Sequence, residues 1–471
     1  MTSLGLRTIA TWLQEAGVLA AEPQVLGTPV SDSVASACVD SRLARPGSLF
    51  VALKGDRTDG HDFVDDAVGR GAVAALIKSE RLADVRGRVY GSATLFPVAD
   101  PLAALHVLAR NWRAMHQDLV RIAITGSNGK TTTKELVAAI LSRVAPTAYS
   151  HGNYNSDIGL PVELLRIRPE HRFGVFELGM NREGEIAELA DLVEPDVALI
   201  TNVGSAHIGM LGSRRRIAEE KKAVFSRFTG SQTAIVPPSG EFSRFLAADV
   251  SGSVVRYGRS SAGVVRIDNR NLDGAMLHLR DGSVQLRLAG EHMITNALAA
   301  ITVARVLKVP FHAIKAGIEA VEPLFGRTEI VRERVTILQD CYNANPESMS
   351  TALSLLLDTQ TGGRRIAILG AMRELGAQSV ALHRALVEQA QTAGIDELWL
   401  VGDEFDAATG VSSPGVRTFR YEDWAQLELE AAAIQDGDVV LIKGSRLIEL
   451  ERLTPIILRG APVPAEGASN G

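Results

Sequence analysis

The chain has 471 residues, of which 46% are hydrophobic and 22% charged, and this length and composition predict an ordinary globular protein of two to four domains. The net charge of −6 gives no electrostatic reason to expect nucleic acid, and no stretch approaches the ~18 uninterrupted apolar residues of a membrane span. Two cysteines, Cys38 and Cys341, exclude a disulfide framework or a zinc site and favour a reducing cytoplasm.

The first predicted element is an amphipathic helix within MTSLGLRTIATWLQEAG, whose spaced apolar residues distinguish it from a signal peptide. Short strands in SLFVAL and AVAALI follow, with a helix in HDFVDDAVGRG between them. These elements predict a small α/β domain over residues 1–113.

The second block, residues 114–324, opens with the strand RIAIT, a glycine-containing loop and the helix KTTTKELVAAILSRV. Further strands in GVFEL, VALIT and TAIVP predict a parallel sheet covered by helices. Between about 251 and 290, shorter alternating runs (VVRYG, AMLHLRD and VQLRL) predict an antiparallel appendage. Two helices, in TNALAAITVARVL and HAIKAGIEAV, close the block.

The third block, residues 325–460, alternates apolar strands (TILQD, RRIAILG, ELWLVG and DVVLIKG) with helices, the last of them in RLIELERL. This pattern is typical of a doubly wound, Rossmann-like domain. The overall fold class is therefore α/β with three domains. The last residues, 461–471 (APVPAEGASNG), predict a disordered tail.

A phosphate-binding loop is predicted in ITGSNGKTTTKE, although the usual Walker spacing would place a glycine where Ile124 stands. Gly126 and Gly129 allow a tight turn whose backbone N–H groups converge on an anion at the start of the following helix. Lys130 supplies a cation for the β- and γ-phosphates, and Thr131 a hydroxyl for Mg²⁺. The loop predicts a nucleoside triphosphate without specifying the reaction.

Two further polar residues follow strands of the same predicted sheet. Glu177 ends GVFEL, and His207 lies in the loop TNVGSAH after VALIT. Ligands of parallel α/β sheets bind at the carboxyl ends of the strands, so both side chains are expected to face the phosphate loop. They are candidates for holding a second Mg²⁺ or orienting a substrate. The alternatives are a structural ion pair for Glu177 and a hydrogen-bonded loop histidine for His207.

Several stretches together resemble the Mur ligases, the enzymes that build the peptide stem of the bacterial cell wall. TGSNGKTTTKE, GNYNSDIGLP, FELGMNREGEIAEL, TNVGSAHIGMLGS and EEKKAVF are similar to the central domain of that family, in which the compact phosphate loop is a common feature. DSRLARPGSLFVALKGDRTDGHDF resembles a UDP-binding first domain. GRTEI, DCYNANPESM, ILGAMRELG and KGSRLIELE are similar to the members that add D-alanyl-D-alanine, and the resemblance covers all but the tail.

The resemblance implies roles for individual residues. Lys130 matches the phosphate lysine and Thr131 the first Mg²⁺ ligand, while Glu177 and His207 match the groups around a second Mg²⁺. Lys221 matches a lysine that relatives carbamylate, which would turn a cation into an anion able to bridge two Mg²⁺ ions; the alternative is a surface lysine in EEKK. The implied catalytic set is Lys130, Glu177, His207 and Lys221, and the implied metal ligands are Thr131, Glu177, His207 and Lys221.

The resemblance also implies contacts to nucleotide and substrates. ATP would be bound by Gly126, Ser127, Asn128, Gly129, Lys130, Thr131, Thr132, Asn296, Arg327 and Asp340. The substrates would be bound by Ser41 and Arg42 on the uridine side, by Asn153 and Asn155 near the muramoyl group, and by Tyr342, Asn343, Asn345, Lys443, Ser445 and Arg446. Two departures stand out, since relatives usually carry Asp at the position of Ala371 and Asn at that of Ser156. They bear on substrate contacts and leave the reaction class standing.

The implied activity is the ATP-dependent addition of D-alanyl-D-alanine to UDP-N-acetylmuramoyl-tripeptide through an acyl phosphate, in peptidoglycan synthesis. The resemblance implies ATP and two Mg²⁺ as cofactors, a monomer and a cytoplasmic location. Two alternatives stay open at the level of sequence: another ligase of the superfamily, such as a folylpolyglutamate synthase, and a nucleotide-gated protein that forms no amide. The second would be expected to carry the N-K-x-D motif of GTPases, which is absent from the sequence.

Overall fold

The architecture comes from a computed structural model that describes residues 3–28, 30–407 and 415–460. The predicted tail at 461–471 lies outside the described residues. Three large sheets follow one another along the chain, of five, six and six strands, and each falls within one of the three predicted segments. The α/β fold class is confirmed, while the boundaries at 113 and 324 stay a prediction.

The first segment holds a five-stranded sheet in the order β2-β7-β6-β5-β4, in which only β2 runs antiparallel to its neighbour. Its elements are β1 (Leu4–Gly5), α1 (Leu6–Glu15), β2 (Gln24–Leu26), β3 (Ser33–Val34), β4 (Ser36–Cys38), β5 (Ser48–Val51), α2 (Val64–Gly69), β6 (Ala72–Lys78), α3 (Leu82–Arg88), β7 (Ala93–Val98) and α4 (Pro101–Ala114). The amphipathic N-terminal helix is confirmed as α1, which buries Ile9 and Leu13. In α4, the buried Trp112 donates from Nε1 to Ile167 O over 3.1 Å and ties this segment to the next.

The central segment holds a parallel six-stranded sheet in the order β13-β12-β11-β8-β10-β9, and a three-stranded antiparallel sheet, β14-β15-β16. Its elements are β8 (Val120–Thr125), α5 (Lys130–Leu141), β9 (Thr147–Tyr149), α6 (Gly159–Leu164), β10 (Phe173–Glu177), α7 (Glu185–Val193), β11 (Val197–Ile200), α8 (Ile208–Leu211), α9 (Arg214–Lys222), β12 (Thr233–Val236), α10 (Ser243–Ala247), β13 (Ser253–Arg256), α11 (Arg259–Ala262), β14 (Val264–Asn269), β15 (Ala275–Leu279), β16 (Gly282–Leu286), α12 (Glu291–Val306) and α13 (Phe311–Glu319). The central position of β8 places the phosphate loop in the middle of the sheet edge, between the ends of β10 and β11.

The prediction for VVRYG is wrong. This run forms β13, which pairs parallel with β12 at the edge of the large sheet, and the third strand of the antiparallel sheet is β14 instead. The apolar alternation that favoured an antiparallel appendage reflects an edge position, because Val254 is exposed while Val255 is half-buried. An edge strand of a parallel sheet and a half-buried antiparallel strand share that pattern.

The third segment holds a sheet in the order β17-β18-β22-β19-β20-β21, parallel except for β17. Its elements are β17 (Glu329–Arg332), β18 (Thr336–Gln339), α14 (Pro346–Asp358), β19 (Arg365–Gly370), α15 (Ser379–Thr392), β20 (Glu397–Val401), β21 (Val416–Phe419), α16 (Trp424–Ala432), β22 (Val439–Lys443) and α17 (Thr454–Arg459). The prediction of a helix in RLIELERL is wrong, because two 3₁₀ turns occupy that stretch. They are separated by Glu449 at φ 55°, a left-handed conformation that interrupts an α-helix.

Candidate active site

The phosphate loop joins β8 to α5 and is shaped by two glycines with positive φ. A Cβ on Gly126, at φ 150°, would lie 1.8 Å from Thr201 Oγ1, and a Cβ on Gly129, at φ 79°, would lie 2.4 Å from Asn296 Oδ1. Neither position accepts a side chain, because the loop is held between the end of β11 and helix α12. Tight packing on both sides of the loop therefore requires glycine at both positions.

Hydrogen bonds from the segment after β11 fix the loop further. Asn128 N donates to Asn202 Oδ1 over 2.9 Å, and Thr201 Oγ1 donates to Asn128 O over 2.6 Å. Gly204 N donates to Ser127 Oγ over 2.8 Å. These hydrogen bonds fix the shape of the loop, as a preorganised anion site requires.

Lys130, the first residue of α5, donates from Nζ to Gly126 O over 2.9 Å and so folds back over the loop. Burial lowers the pKa of this lysine, and the nearby Glu177 carboxylate acts in the opposite direction. The hydroxyls of Thr131 and Thr132 follow in the first turn of α5, where both residues are buried. The predicted nucleotide residues of the loop therefore lie together around the start of one helix.

Glu177 ends β10 beside the loop. Its Oε1 accepts a hydrogen bond of 2.7 Å from Asn155 Nδ2, whereas its Oε2 is buried without a hydrogen-bond partner. A buried carboxylate oxygen left without a donor is costly, which fits a cation at this point. Among the residues the structure describes, no three His, Cys, Asp or Glu side chains form a metal cluster. A Mg²⁺ here would accordingly take further ligands from phosphate oxygens, as this ion usually does.

His207 lies after β11 in a left-handed conformation, with φ 65°. Its Nδ1 is 2.6 Å from Glu374 Oε2, a carboxylate of the third segment. This close contact with His207 holds the pKa of Glu374 below its usual range. Gly209 N also donates to Glu374 O over 2.9 Å, so the His207 loop and the segment after β19 are joined by both backbone and side chain.

Lys221 on α9 is not a surface residue, because only 1% of it is exposed. Its Nζ lies 3.8 Å from Met180 Sδ, which is a weak acceptor for an ammonium group. Burial, reinforced by repulsion from Lys130, holds the pKa of Lys221 well below its usual range, against the opposing effect of Glu220. Lys221 lies behind Met180, which lines the central cavity.

The third segment contributes the facing wall. Lys443, at the end of β22, donates from Nζ to Asp340 Oδ2 over 2.7 Å and to Asn343 O over 2.9 Å. Thr328 N donates to Asp340 Oδ1 over 3.1 Å. The guanidinium of Arg327 lies 4.1 Å from the centre of the Tyr342 ring.

A cavity of about 590 Å³ lies between these walls. The predicted site residues that line it are Ser127, Asn128, Gly129, Lys130, Thr131, Thr132, Asn153, Asn155, Glu177, His207, Asn296, Arg327, Asp340, Tyr342, Asn343, Asn345 and Lys443. The predicted residues outside its lining are Gly126, Lys221, Ser41, Arg42, Ser445 and Arg446.

The residues outside the lining have other contacts. Arg42, with a side chain 80% exposed, pairs with Asp40 in the first segment. Ser445 Oγ accepts from Arg373 N over 3.1 Å, and Arg446 pairs with Glu451. The structure thus brings the predicted nucleotide residues together and leaves Ser41, Arg42, Ser445 and Arg446 at other places.

Sequence reasoning missed several polar residues of the cavity, among them Asn202, His292 and Glu347, and it also missed Glu374, which contacts His207 from outside the lining. Asn202, Glu347 and Glu374 stand inside the stretches TNVGSAH, DCYNANPESM and ILGAMRELG, but their partners lie in distant parts of the chain. At the two departures, Ser156 Oγ accepts from Gly159 N over 3.3 Å, and Ala371 is fully buried.

Comparison with known proteins decides the family. Sequence models of the "Mur ligase family, catalytic domain", the "Mur ligase middle domain" and the "Mur ligase, glutamate ligase domain" match residues 34–113, 124–304 and 326–446. The chain is 40% identical to the UDP-N-acetylmuramoyl-tripeptide--D-alanyl-D-alanine ligase of Treponema pallidum, over 89% of this chain and 92% of that protein. The chain belongs to the Mur ligase family.

Solved structures of Mur ligases agree with the architecture. A crystal structure of MurF from Acinetobacter baumannii superposes with a TM-score of 0.83 at 32% identity, covering 97% of this chain and 99% of that one. MurF ligase from Thermotoga maritima in complex with ADP gives 0.74 at 28% identity, covering 90% and 97%. As a member of this family the chain is an ATP-dependent ligase, and the comparisons support this over the nucleotide-gated alternative. None of its described helices is long and apolar enough to cross a membrane.

Proposed function

We propose that this Mur ligase joins D-alanyl-D-alanine to UDP-N-acetylmuramoyl-tripeptide at the expense of ATP. The observation that carries the proposal is that one cavity is shared by two walls. The phosphate loop and the unpartnered Oε2 of Glu177 lie on one side of it, and the ends of β18 and β22 lie on the other. The name of the Treponema pallidum relative supports this pair of substrates over folate and glutamate. We assign UDP binding to residues 1–113, through Ser41 and Arg42, ATP to residues 114–324, and the dipeptide to residues 325–460.

The first step faces an electrostatic obstacle, because a donor carboxylate must approach the γ-phosphate and both are negative. The backbone N–H groups of the loop and Lys130 would bind the β- and γ-phosphates and stabilise charge on the transferring group. Lys130 needs only to exchange its bond to Gly126 O for a phosphate oxygen. On the adenosine side we place Asn296, Arg327 and Asp340, which line the same cavity.

Mg²⁺ would be held by the Thr131 hydroxyl, Glu177 and His207 together with phosphate oxygens, and would neutralise charge between the reactants. The chain's own residues prepare these ligands. Asn155 fixes one oxygen of Glu177 and leaves the other free, and Glu374 orients the His207 ring through Nδ1. A ring nitrogen held by a carboxylate is the usual arrangement for a histidine that ligates metal through its other nitrogen.

Lys221 would act as a carbamate. Because its pKa is low, a larger fraction of its amine is unprotonated and able to attack CO₂, forming a C–N bond and releasing one proton. The product is an anion, which removes the repulsion between Lys221 and Lys130. Met180 lies between Lys221 and the cavity, so the Met180 side chain must move aside for a carbamate on Lys221 to reach the cavity.

Amide formation follows in the same cavity. A donor carboxylate oxygen attacks the γ-phosphorus, the bond to ADP breaks, and an acyl phosphate forms. The free amine of the dipeptide then attacks the acyl carbon, and the tetrahedral adduct expels inorganic phosphate. Closure of the central and third segments over the substrates would keep out water, which would otherwise hydrolyse the acyl phosphate.

The deciding experiment measures phosphate release from ATP by the purified chain with Mg²⁺. Release should require both the UDP-muramoyl-tripeptide and D-alanyl-D-alanine, and a Lys130→Ala variant should lose it. Donors with diaminopimelate or lysine as third residue should be compared, since the sequence does not distinguish them. Phosphate release with folate and glutamate, but not with the muramoyl donor, would overturn the proposal.

A further inference from the structure

Glu347 stands in the first turn of α14, directly after the segment YNANP. Its side chain crosses from the third segment to the loop after β11, where Oε1 accepts hydrogen bonds from Ser205 N over 2.9 Å and from Ser205 Oγ over 2.5 Å. A Cβ on Gly204 would lie 2.9 Å from Glu347 Oε2, so the carboxylate lies flat on that glycine. Gly204 N in turn donates to Ser127 of the phosphate loop. The carboxylate is therefore held beside the loop at the edge of the cavity, which it lines.

The second oxygen of this carboxylate has no partner. Oε2 is buried without a hydrogen bond, while both donors from Ser205 serve Oε1. The lysine and arginine side chains that line the cavity contact other groups: Lys130 bonds to Gly126 O, Arg327 lies over Tyr342, and Lys443 bonds to Asp340. Glu347 lines the cavity, and a buried carboxylate oxygen left without a donor there is stabilised when a ligand in the cavity supplies one.

The chemistry of the site limits what that ligand is. A carboxylate next to a triphosphate site repels anionic groups, so the complementary ligand is a cation or an N–H donor. Glu347 belongs to no cluster of three acidic or histidine side chains among the described residues, which argues against a further metal centre built on it. The reaction brings one other positively charged group to this cavity, the amino group of the acceptor dipeptide.

We propose that Glu347 is a catalytic residue that binds the amino group of the acceptor through Oε2 and takes the proton released when the amide forms. The proposal rests on the proposed function. The ammonium group first gives one proton to solvent and becomes an amine beside Oε2. Its lone pair then forms the C–N bond to the acyl carbon, the carbonyl electrons move to oxygen, and an N–H proton passes to Glu347. Collapse of the adduct breaks the C–O bond to phosphate, and the proton leaves Glu347 for solvent. The two bonds from Ser205 hold Oε1 and so direct Oε2 at the nitrogen.

The test separates the two half-reactions in the full-length protein with ATP, Mg²⁺ and the muramoyl donor. Acyl phosphate is trapped by hydroxylamine, which gives a hydroxamate and phosphate and, being largely unprotonated at neutral pH, needs no protein base. Glu347→Gln keeps an oxygen for Ser205 but removes the charge. We expect its kcat/KM for D-alanyl-D-alanine to fall by a factor of about 10² or more, as for loss of a positioned proton acceptor. Hydroxamate formation should stay within about threefold of the wild-type rate, since it bypasses Glu347.

Two further variants complete the design. Glu347→Asp keeps the charge but withdraws it by one methylene, and should give a smaller loss for the dipeptide than Glu347→Gln. Glu388→Gln, an exposed acid on α15, is the matched control and should behave as wild type. Equal losses of hydroxamate and amide in Glu347→Gln would overturn the proposal and place the residue in the first half-reaction or at a metal. Unchanged kinetics with the dipeptide would overturn it as well. Failure of the wild type to form the amide would instead reject the proposed function.

Discussion

Asn128 of the phosphate loop and Asn345 at the start of α14 exchange two side-chain hydrogen bonds across the cavity. Asn345 Nδ2 donates to Asn128 Oδ1 over 2.6 Å, and Asn128 Nδ2 donates to Asn345 Oδ1 over 3.2 Å. The same Oδ1 of Asn345 accepts from Ser348 N over 3.0 Å and completes a capping box. One side chain therefore both begins a helix of the third segment and holds the nucleotide loop of the central one.

The two functions of Asn345 can be separated by substitution. Asn128→Ala removes only the amide pair, whereas Asn345→Ala also leaves Ser348 N without its capping acceptor, at an additional cost of ~1 kcal/mol. Asn345→Ser keeps a capping oxygen and loses the pair. Thermal unfolding should therefore place the Tm of Asn345→Ala below those of Asn128→Ala and Asn345→Ser, which should lie close together. Equal Tm values for Asn345→Ala and Asn345→Ser would show that the cap contributes nothing.

Lys130 is expected to act on the reaction without affecting donor binding. Removing its charge by Lys130→Ala should lower kcat by roughly 10²–10³, the range for loss of one group that stabilises developing charge. Affinity for the UDP-muramoyl donor, measured by calorimetry, should change little, because we assign the UDP head to residues 1–113. Loss of donor affinity in step with kcat would contradict that domain assignment.

Lys221 gives a test by chemical rescue. Lys221→Ala should lose activity, because the carbamate would be gone, and added short carboxylic acids should restore part of it by placing a carboxylate in the vacated space. The matched control is Lys222→Ala on the same helix, whose ammonium lies over the Phe245 ring, 4.5 Å from its centre. The control should keep near-normal activity and show no response to the acids. Near-normal activity of Lys221→Ala would remove the carbamate from the mechanism.

The fold was largely readable from pattern because the sheets are buried. Runs such as RIAIT and DVVLIKG have continuous apolar centres (IAI and VVLI), as is typical of strands covered on both faces, and β8 and β22 lie where these runs predict them. The edge strands were the exceptions. β13 was assigned to the wrong sheet, and β21, with two exposed residues out of four, gave no apolar run to recognise.

The residues alone predict the site at two kinds of position: the glycines of the phosphate loop, and the strand ends that carry Glu177 and His207, which line the cavity. Gly126 and Gly129 are required by contacts at 1.8 and 2.4 Å, so the loop stands out in the sequence. Glu374 and Glu347 gave no comparable signal, because their partners His207 and Ser205 lie more than a hundred residues away. For Lys221, the alternative of a surface lysine is wrong: the residue is buried, and it follows the buried Ile217 by one helical turn of α9.

Asp438, before β22, provides a prediction about stability and pH. Burial alone would raise the pKa of its carboxyl, but hydrogen bonds from the Arg364 side chain and from the backbone N–H groups of Arg364 and Gln435 outweigh burial, and the pKa lies below its usual range. A carboxylate with a lowered pKa in the folded state stabilises the protein above its unfolded-state pKa of ~3.9, and that contribution is lost as the pH falls through the folded value.

Asp438→Asn should therefore lower the free energy of unfolding at pH 7 by about 2–3 kcal/mol. The amide has an NH₂ group, a donor, where the carboxylate has an oxygen that accepts hydrogen bonds from Arg364 or Gln435. The Tm difference from wild type should be constant between pH 7 and pH 5 and should shrink below pH ~3.9, where the wild-type carboxyl begins to lose its advantage. Asp436→Asn is the control, because its carboxylate is 81% exposed and its pair with Arg334 should contribute ~0–1 kcal/mol. A Tm difference for Asp438→Asn that persisted unchanged to pH 3 would show that the loss comes from packing and not from the charge.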